Sequence, residues 1–399
     1  MSDFLEQQYN LVYTSVSDAM LIRTQYSIDY ARAKLAELPT GLEWCKPEFS
    51  KQLDIIEQEL MNRAISSFYK VLQTSDVEAI NACRANLEEL YGSSEAFVKS
   101  WAIAVNGQLD EAISTIPDRQ LYNNAVKQIN NTIYQLPNTI KAAQNKKLKI
   151  AFWGDSITEG IDINPENSYP QLFIKKVKSI LPSVDVDYMN FGLSTRTLAK
   201  AIDPNYLANN PEHPRDAVLG FTDFWRSWAI QGKSWEQHVV DYKPDMLIIA
   251  FGMNDSGDKY AAGNFTKNID TIVKYVRQQL PTTDIVIVST IMPTENKTVY
   301  SQSSEYTLQV AYATRVYAAS HNIPIIDANR LWYIMLYGRD GIDGKLVSKP
   351  IYSEYQMLGA VGGGTTGNGM NHPTAMGIYL SYYTAANSIF NSISAGTTK

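Results

Sequence analysis

Four short stretches carry residue types that, brought together, can do nucleophilic chemistry. In KIAFWGDSITEG, from Lys149 to Gly160, an apolar run ends at Gly154 and a turn presents Ser156. Ile150 to Trp153 reads as a buried strand of a parallel sheet, short and continuously apolar. A serine just past such a strand stands at the carboxyl edge of the sheet, where open α/β sheets place their ligands. Gly192 follows a second apolar run in NFGLS, and Gly252, Asn254 and Asp255 follow a third in IIAFGMNDS. His372 stands in NHPTAMG, close to the C-terminus. Acyl transfer from an ester needs a nucleophile, a base that takes its proton, and donors aimed at the oxygen that becomes negative. Histidine suits the second task because its unperturbed pKa lies near neutrality.

Gly-Asp-Ser alone is an ordinary turn sequence. Taken together, GDSxTxG at 154–160 and the three later pieces, in this order, resemble the SGNH (GDSL) hydrolase family over about residues 147–395. The resemblance implies a serine esterase with Ser156 as nucleophile and His372 as base. It further implies an oxyanion hole made of the N–H of Ser156, the N–H of Gly192 and the side-chain amide of Asn254. Glycine at 192 allows close approach to the backbone, and asparagine at 254 donates without carrying charge. His213, His238 and His321 lie outside any such motif and read as ordinary hydrogen-bonding histidines. Asp155 and Asp255, beside the catalytic positions, read as acceptors that hold the two turns. Thr158, Glu159 and Arg196 read as scaffolding, with Arg196 also a candidate for the substrate rim.

The sequence departs from the family at one place. An aspartate normally stands three residues before the histidine, but position 369 is Gly, with Asn368, Met370 and Asn371 around it. The third member of a triad accepts a hydrogen bond from the far imidazole nitrogen and fixes the tautomer. Three substitutes are open: the side-chain oxygen of Asn368, a backbone carbonyl of the glycine-rich loop, or an acid from elsewhere such as Asp340 or Asp343. The preferred expectation is a Ser–His dyad with Asn368 as a neutral orienter.

These residues need a scaffold. From Lys147 onward strand and helix patterns alternate, with strands expected at 148–153, 184–190, 246–251, 285–291 and 323–326. Helices are expected at 169–181, 265–280, 306–321 and, as one continuous element, 374–393. Such alternation implies right-handed parallel crossovers and an α/β, doubly wound three-layer domain over 146–399. Two insertions interrupt it. Residues 203–240 carry Trp225, Trp228 and Trp235, and residues 338–371 carry Tyr352, Tyr355 and a glycine-rich loop; both are expected to rim the site, where flat rings can stack on sugars. Residues 1–145 read as an all-α N-terminal domain, either a packed bundle or an oligomerising stalk. Its apolar stripes are Leu5, Tyr9, Val12, Val16 and Ala19; Leu53, Ile56, Leu60 and Ala64; and Leu121, Ala125, Ile129 and Ile133.

Composition narrows the partners. With 399 residues, 45% hydrophobic and 19% charged, the chain is long enough for two domains with full cores. A net charge of −6 argues against nucleic acid. No signal peptide and no apolar run of the ~18 residues needed to span a membrane is read from the sequence. Cys45 and Cys83 read as two reduced thiols. No metal-ligand spacing and no phosphate loop occurs, so no cofactor is expected. The expected substrate is an ester, with an O-acetylated carbohydrate preferred. A helical region ahead of an esterase resembles phage tail proteins that deacetylate surface polysaccharides, which implies a trimer through residues 1–145. A cytoplasmic esterase acting on lipids or thioesters, and a sugar-binding adhesin that has lost turnover, are the rivals.

Overall fold

The computed structural model describes residues 3–74, 77–114, 120–210, 226–257, 261–295, 302, 304–338, 351–361 and 367–397. The chain divides into two compact units, Met1–Pro117 and Asp118–Lys399.

The first unit carries α1 (Asp3–Ile22), α2 (Gln25–Ala36), α3 (Lys46–Thr74), α4 (Val77–Tyr91) and α5 (Ala96–Ser114). The first break falls at Arg23, at φ 56°, where Thr24 closes a capping box with Ser27 and starts α2. The stripe residues Val12, Val16, Ala19, Leu53, Ile56, Leu60 and Ala64 are all buried within this unit. Their faces pack on one another, as amphipathic helices in a bundle do. Cys45 and Cys83 are free and buried.

The second unit begins earlier than the expected boundary at 145. It includes α6 (Gln120–Asn130) and α7 (Pro137–Gln144), which are tied into the sheet domain by hydrogen bonds. The Tyr122 hydroxyl donates to the Leu380 carbonyl at 2.7 Å, and the Asp284 carboxylate accepts from the Thr139 N–H at 2.7 Å and its hydroxyl at 2.8 Å. Because α6 stops at Asn130, Ile133 falls off the end of its predicted stripe and is exposed.

Next come β1 (Lys147–Gly154), α8 (Ser156–Glu159), α9 (Tyr169–Ile180), β2 (Asp185–Gly192), α10 (Leu198–Ala201), α11 (Trp235–Tyr242), β3 (Met246–Ala250) and α12 (Ala261–Gln279). They are followed by β4 (Asp284–Val288), α13 (Ser304–Ser320), β5 (Ile325–Ile326), α14 (Ala328–Tyr337), α15 (Glu354–Leu358), α16 (Ala375–Ile378) and α17 (Asn387–Thr397). The sheet is parallel, in the order β2-β1-β3-β4-β5. Adjacent residues of a strand face opposite sides. Phe152 meets Phe173 of α9 at 5.6 Å, while Trp153 meets Trp235 of α11 at 6.1 Å. Helices therefore cover both faces, giving the three layers expected. Strand order reverses between β1 and β3, which makes their carboxyl ends the crevice of the fold. Ser156 leaves β1 there, and Asn254 leaves β3.

The expected last helix is broken. A π-helical turn at Tyr379–Tyr383 separates α16 from α17, with the Thr384 hydroxyl bonded to the Tyr379 carbonyl at 2.8 Å. The extra residue of that turn lets Tyr382 stack on Tyr169 at 4.9 Å, directly behind the nucleophile strand.

Candidate active site

The turn after β1 is built around a glycine. A Cβ at Gly154 would lie 2.0 Å from the Thr158 hydroxyl and 2.4 Å from the Ala250 carbonyl, so no other residue lets the chain fold over so tightly. Asp155 caps α8, its Oδ1 accepting from the Ile157 N–H at 3.0 Å. Ser156 is the first residue of α8. The helix ends after one turn at Gly160, and Asp162 follows in the left-handed region, at φ 60°, where aspartate is better tolerated than most residues.

That second turn brings a carboxylate back toward the nucleophile. His372 Nε2 lies 2.7 Å from Ser156 Oγ, and its Nδ1 lies 2.6 Å from Asp162 Oδ2. Ser156 and His372 are buried, and Asp162 is 15% exposed at its side chain. With its proton on Nδ1, the imidazole donates to the carboxylate and can accept the serine proton at Nε2. This is the geometry of a Ser–His–Asp triad, with its acid drawn from the loop after the nucleophile.

The structure therefore corrects the expectation of a dyad oriented by Asn368. Asn368 Oδ1 accepts from the main-chain N–H groups of Met370, Asn371 and His372, each at 2.9 Å, and its amide donates to Asn371 Oδ1 at 3.0 Å. Its role is to curl the loop that carries the histidine. Gly369, at φ 68°, leaves room for that curl, since a Cβ there would lie 2.4 Å from the Val361 N–H nitrogen. The loop is tied to the nucleophile side where the Gly367 N–H donates to the Asp162 carbonyl at 2.8 Å. Asp340 and Asp343 lie outside the described residues.

Gly192 is corrected as well. Its N–H donates to Asn190 Oδ1 at 2.9 Å, and a Cβ would lie 2.3 Å from the Glu159 nitrogen. This glycine lets β2 pack against α8, and its N–H is already used. Three residues on, Thr195 is exposed and left-handed at φ 68°, and its N–H meets no acceptor among the described residues. The N–H of Ser156 is likewise unclaimed among them. Asn254 donates one amide hydrogen to the Arg196 carbonyl at 3.0 Å, which sets its side chain beside the Thr195–Arg196 segment and leaves its second hydrogen available. Gln302 donates to Asn254 Oδ1 at 3.4 Å and fixes which end of the amide faces the crevice.

Asp155 and Asp255 hold turns. Asp255 accepts from the Leu198 N–H at 3.0 Å, and burial pushes each carboxyl up to about 7. The rim expectations change most. Trp235 is fully buried on Trp153 and Phe251, donating to the Phe191 carbonyl at 2.9 Å. Arg196 is also buried, with hydrogen bonds to the Tyr206 hydroxyl and the carbonyls of Ser194 and Asn210. Trp228 is half-buried against Phe191 and His238. Trp225 lies outside the described residues, Tyr352 is buried, and Tyr355 is exposed. Aromatic rings in an insertion are drawn to the nearest apolar surface, here the Trp153–Phe251 face of the sheet. His238 donates to the Ser234 carbonyl and accepts from the Ile230 N–H, an internal link as expected, and His321 stacks on Tyr317 at 4.0 Å. His213 lies outside the described residues.

Sequence reasoning missed Asp162, Thr195 and the pairing of Glu159 with Arg226. In the sequence the first shows as a carboxylate two residues past Gly160, with nothing in the pattern to aim it at His372. Among the described residues no cluster of His, Cys, Asp or Glu has the composition of a metal site, and no helix is long and apolar enough to cross a membrane.

A model of the GDSL-like lipase/acylhydrolase family matches residues 152–377. Among solved structures, the chain is similar to a lipase/acylhydrolase from Enterococcus faecalis, with 18% identity, coverage of 62% of this chain and 96% of that one, and a TM-score of 0.37. An acetyl xylan esterase from Geobacillus stearothermophilus matches at 15% identity over 62% of this chain and 94% of its own, with a TM-score of 0.36. A two-domain esterase active on acetylated mannans matches at 17% identity over 68% of this chain and 55% of its own, with a TM-score of 0.41. Among curated proteins none matches the chain.

Proposed function

Because the chain belongs to the GDSL-like lipase/acylhydrolase family, it is an ester hydrolase, and we propose that it works through an acyl-enzyme on Ser156, with His372 as base and Asp162 as orienting acid. One observation carries this reading: the unbroken hydrogen-bond line from Asp162 Oδ2 through both imidazole nitrogens to Ser156 Oγ. Ser156 Oγ attacks the ester carbonyl carbon as its proton passes to His372 Nε2. The carbonyl oxygen becomes negative and is met by the N–H of Ser156, the N–H of Thr195 and the free amide hydrogen of Asn254. Each such donor is typically worth about 3 kcal/mol of barrier. His372 then returns the proton to the departing alcohol, and the acyl group stays on the serine. Water, deprotonated by the same nitrogen, releases the acid. Throughout, Asp162 holds the Nδ1 proton and stabilises the imidazolium that forms.

For the substrate the reading is a short acyl group, acetyl, borne on a carbohydrate. Support comes from Asn254, which hydrogen-bonds to the Arg196 carbonyl and the Gln302 amide, and from the exposed Thr195 next to Arg196, polar groups suited to a hydroxyl-rich alcohol rather than a fatty chain. The adhesin alternative drew its force from the aspartate missing before His372, and Asp162 removes that motive. Of the stripes that a trimeric stalk would use, Val12, Val16, Ala19, Leu53, Ile56, Leu60 and Ala64 are buried in the first unit, which favours a packed bundle there.

Release of acid from a panel of O-acetylated polysaccharides and p-nitrophenyl esters, with Ser156→Ala as control, tests the reading. Serine-dependent turnover that favours acetyl over longer acyl groups by tenfold or so is expected. Preference for long chains would point to a lipid or thioester substrate, and turnover unaffected by Ser156→Ala would overturn the mechanism.

A further inference from the structure

The described parts of the insertion, residues 203–210 and 226–240, turn polar groups inward. Arg226 is fully buried and meets both carboxylate oxygens of Glu159, with Nε 2.5 Å from Oε1 and Nη2 3.2 Å from Oε2. Glu159 is the last residue of α8, on the same short helix as Ser156. Its Oε2 also accepts from the main-chain N–H of Ser194 at 2.7 Å and from the Ser194 hydroxyl at 2.5 Å. The carbonyl of Ser194 is held from another side, by Arg196 Nη1 at 2.7 Å. Arg196 is in turn gripped by the insertion, donating from Nε to the Tyr206 hydroxyl and from Nη2 to the Asn210 carbonyl, both at 2.7 Å.

A trans peptide sets its C=O and N–H in opposite directions. Holding the Ser194 carbonyl on Arg196 therefore aims the N–H of Thr195. Threonine is β-branched and adopts φ 68° only where its surroundings over-determine it. A glycine would sit there without support; here the Thr195 hydroxyl donates to the Ser194 carbonyl at 2.6 Å, and the pair of arginines with Glu159 adds the rest of the support.

We propose that Glu159, Arg226 and Arg196 are positioning residues that brace the Ser194–Thr195 peptide, so that the insertion serves the reaction by fixing an oxyanion donor. The inference rests on the Ser156 mechanism above. The fork of a guanidinium is what lets one side chain hold both oxygens of Glu159, and a lysine reaches only one at a time.

The test is steady-state hydrolysis of p-nitrophenyl acetate by the full chain, with a thermal melt of each variant. Glu159→Leu combined with Arg226→Met replaces both charges by apolar volume, so that neither is left buried alone. This pair should melt within about 5 °C of the wild type, lose roughly 30-fold or more in kcat, and keep KM within about threefold. Arg226→Lys should retain more kcat than Arg226→Met. Should the paired variant fail to fold, Tyr206→Phe, which removes the hydroxyl that Arg196 donates to, should still lower kcat severalfold at unchanged KM. A folded paired variant with wild-type kcat, or equal kcat in the Lys and Met variants, would overturn the brace. Ser156→Ala separates the two failures: if it abolishes turnover while the paired variant stays active, only the brace falls, and if it leaves turnover intact, the mechanism and the brace fall together.

Discussion

Each unit buries a glutamate against an arginine, and the two pairs are used differently. In the helical unit Glu57 accepts from Arg32 at 2.9 and 3.0 Å, from Gln25 at 2.8 Å and from Ser93 at 3.1 Å. All four donors are side chains, on α2 and just beyond α4. In the sheet unit Glu159 accepts from Arg226, from the Ser194 hydroxyl and from the Ser194 main chain. Only the second pair grips a peptide, and that peptide precedes an unclaimed N–H. A buried ion pair is weak evidence for stability, since desolvation opposes the attraction. What it is for is read from the groups it holds in place.

Breaking each pair sharpens that contrast. Arg32→Met leaves Glu57 buried without its cation and should lower the unfolding free energy by about 2–4 kcal/mol, read from urea melts, while kcat per folded molecule stays at the wild-type value. Loss of turnover there in proportion to that of Arg226→Met would erase the distinction between a pair that joins helices and one that aims a peptide.

A smaller effect separates holding a turn from doing chemistry at Asp155. Burial pushes this carboxyl up to about 7, so the folded chain keeps a proton that the unfolded chain gives up from about pH 4. The stability this group contributes is present below about pH 4 and is lost as pH rises through 7. Asp155→Asn keeps an oxygen for the Ile157 N–H and removes the titration. Between pH 5 and pH 8 its unfolding free energy should fall less than that of the wild type, by about 1–3 kcal/mol. Identical pH dependences would mean that the carboxylate is ionised in the fold at pH 5.

His372 was legible from the short NHPTAMG stretch alone, while Ser156 and Asn254 were legible because their roles depend on where strands end, and apolar runs mark strand ends in one dimension. The alternation of strand and helix made the three-layer architecture legible for the same reason. Asp162 was not, although it lies six places from the nucleophile: its approach to the imidazole depends on two left-handed residues in succession of turns and on the docking of the 367–372 loop, neither of which has a sequence period. Gly192 misled because a glycine beside a strand end serves equally for packing and for donation, and only the position of Asn190 decides. Trp235 misled because an insertion looks like a rim until the apolar face beneath it is known, and Arg196 because a guanidinium past a strand end looks exposed until Tyr206 and Asn210 are placed against it. The boundary at 145 was drawn at a change of texture, whereas Thr139 and Tyr122 bind α7 and α6 to the sheet unit by side-chain contacts that texture does not reveal.

The most direct test is Asp162→Asn, which keeps the shape of the side chain and removes the charge that faces His372 Nδ1. With folding verified by melting temperature, kcat/KM on p-nitrophenyl acetate should fall by roughly 10³–10⁴-fold. A value within about threefold of the wild type would show that the imidazole is oriented by some other group, and would contradict the triad.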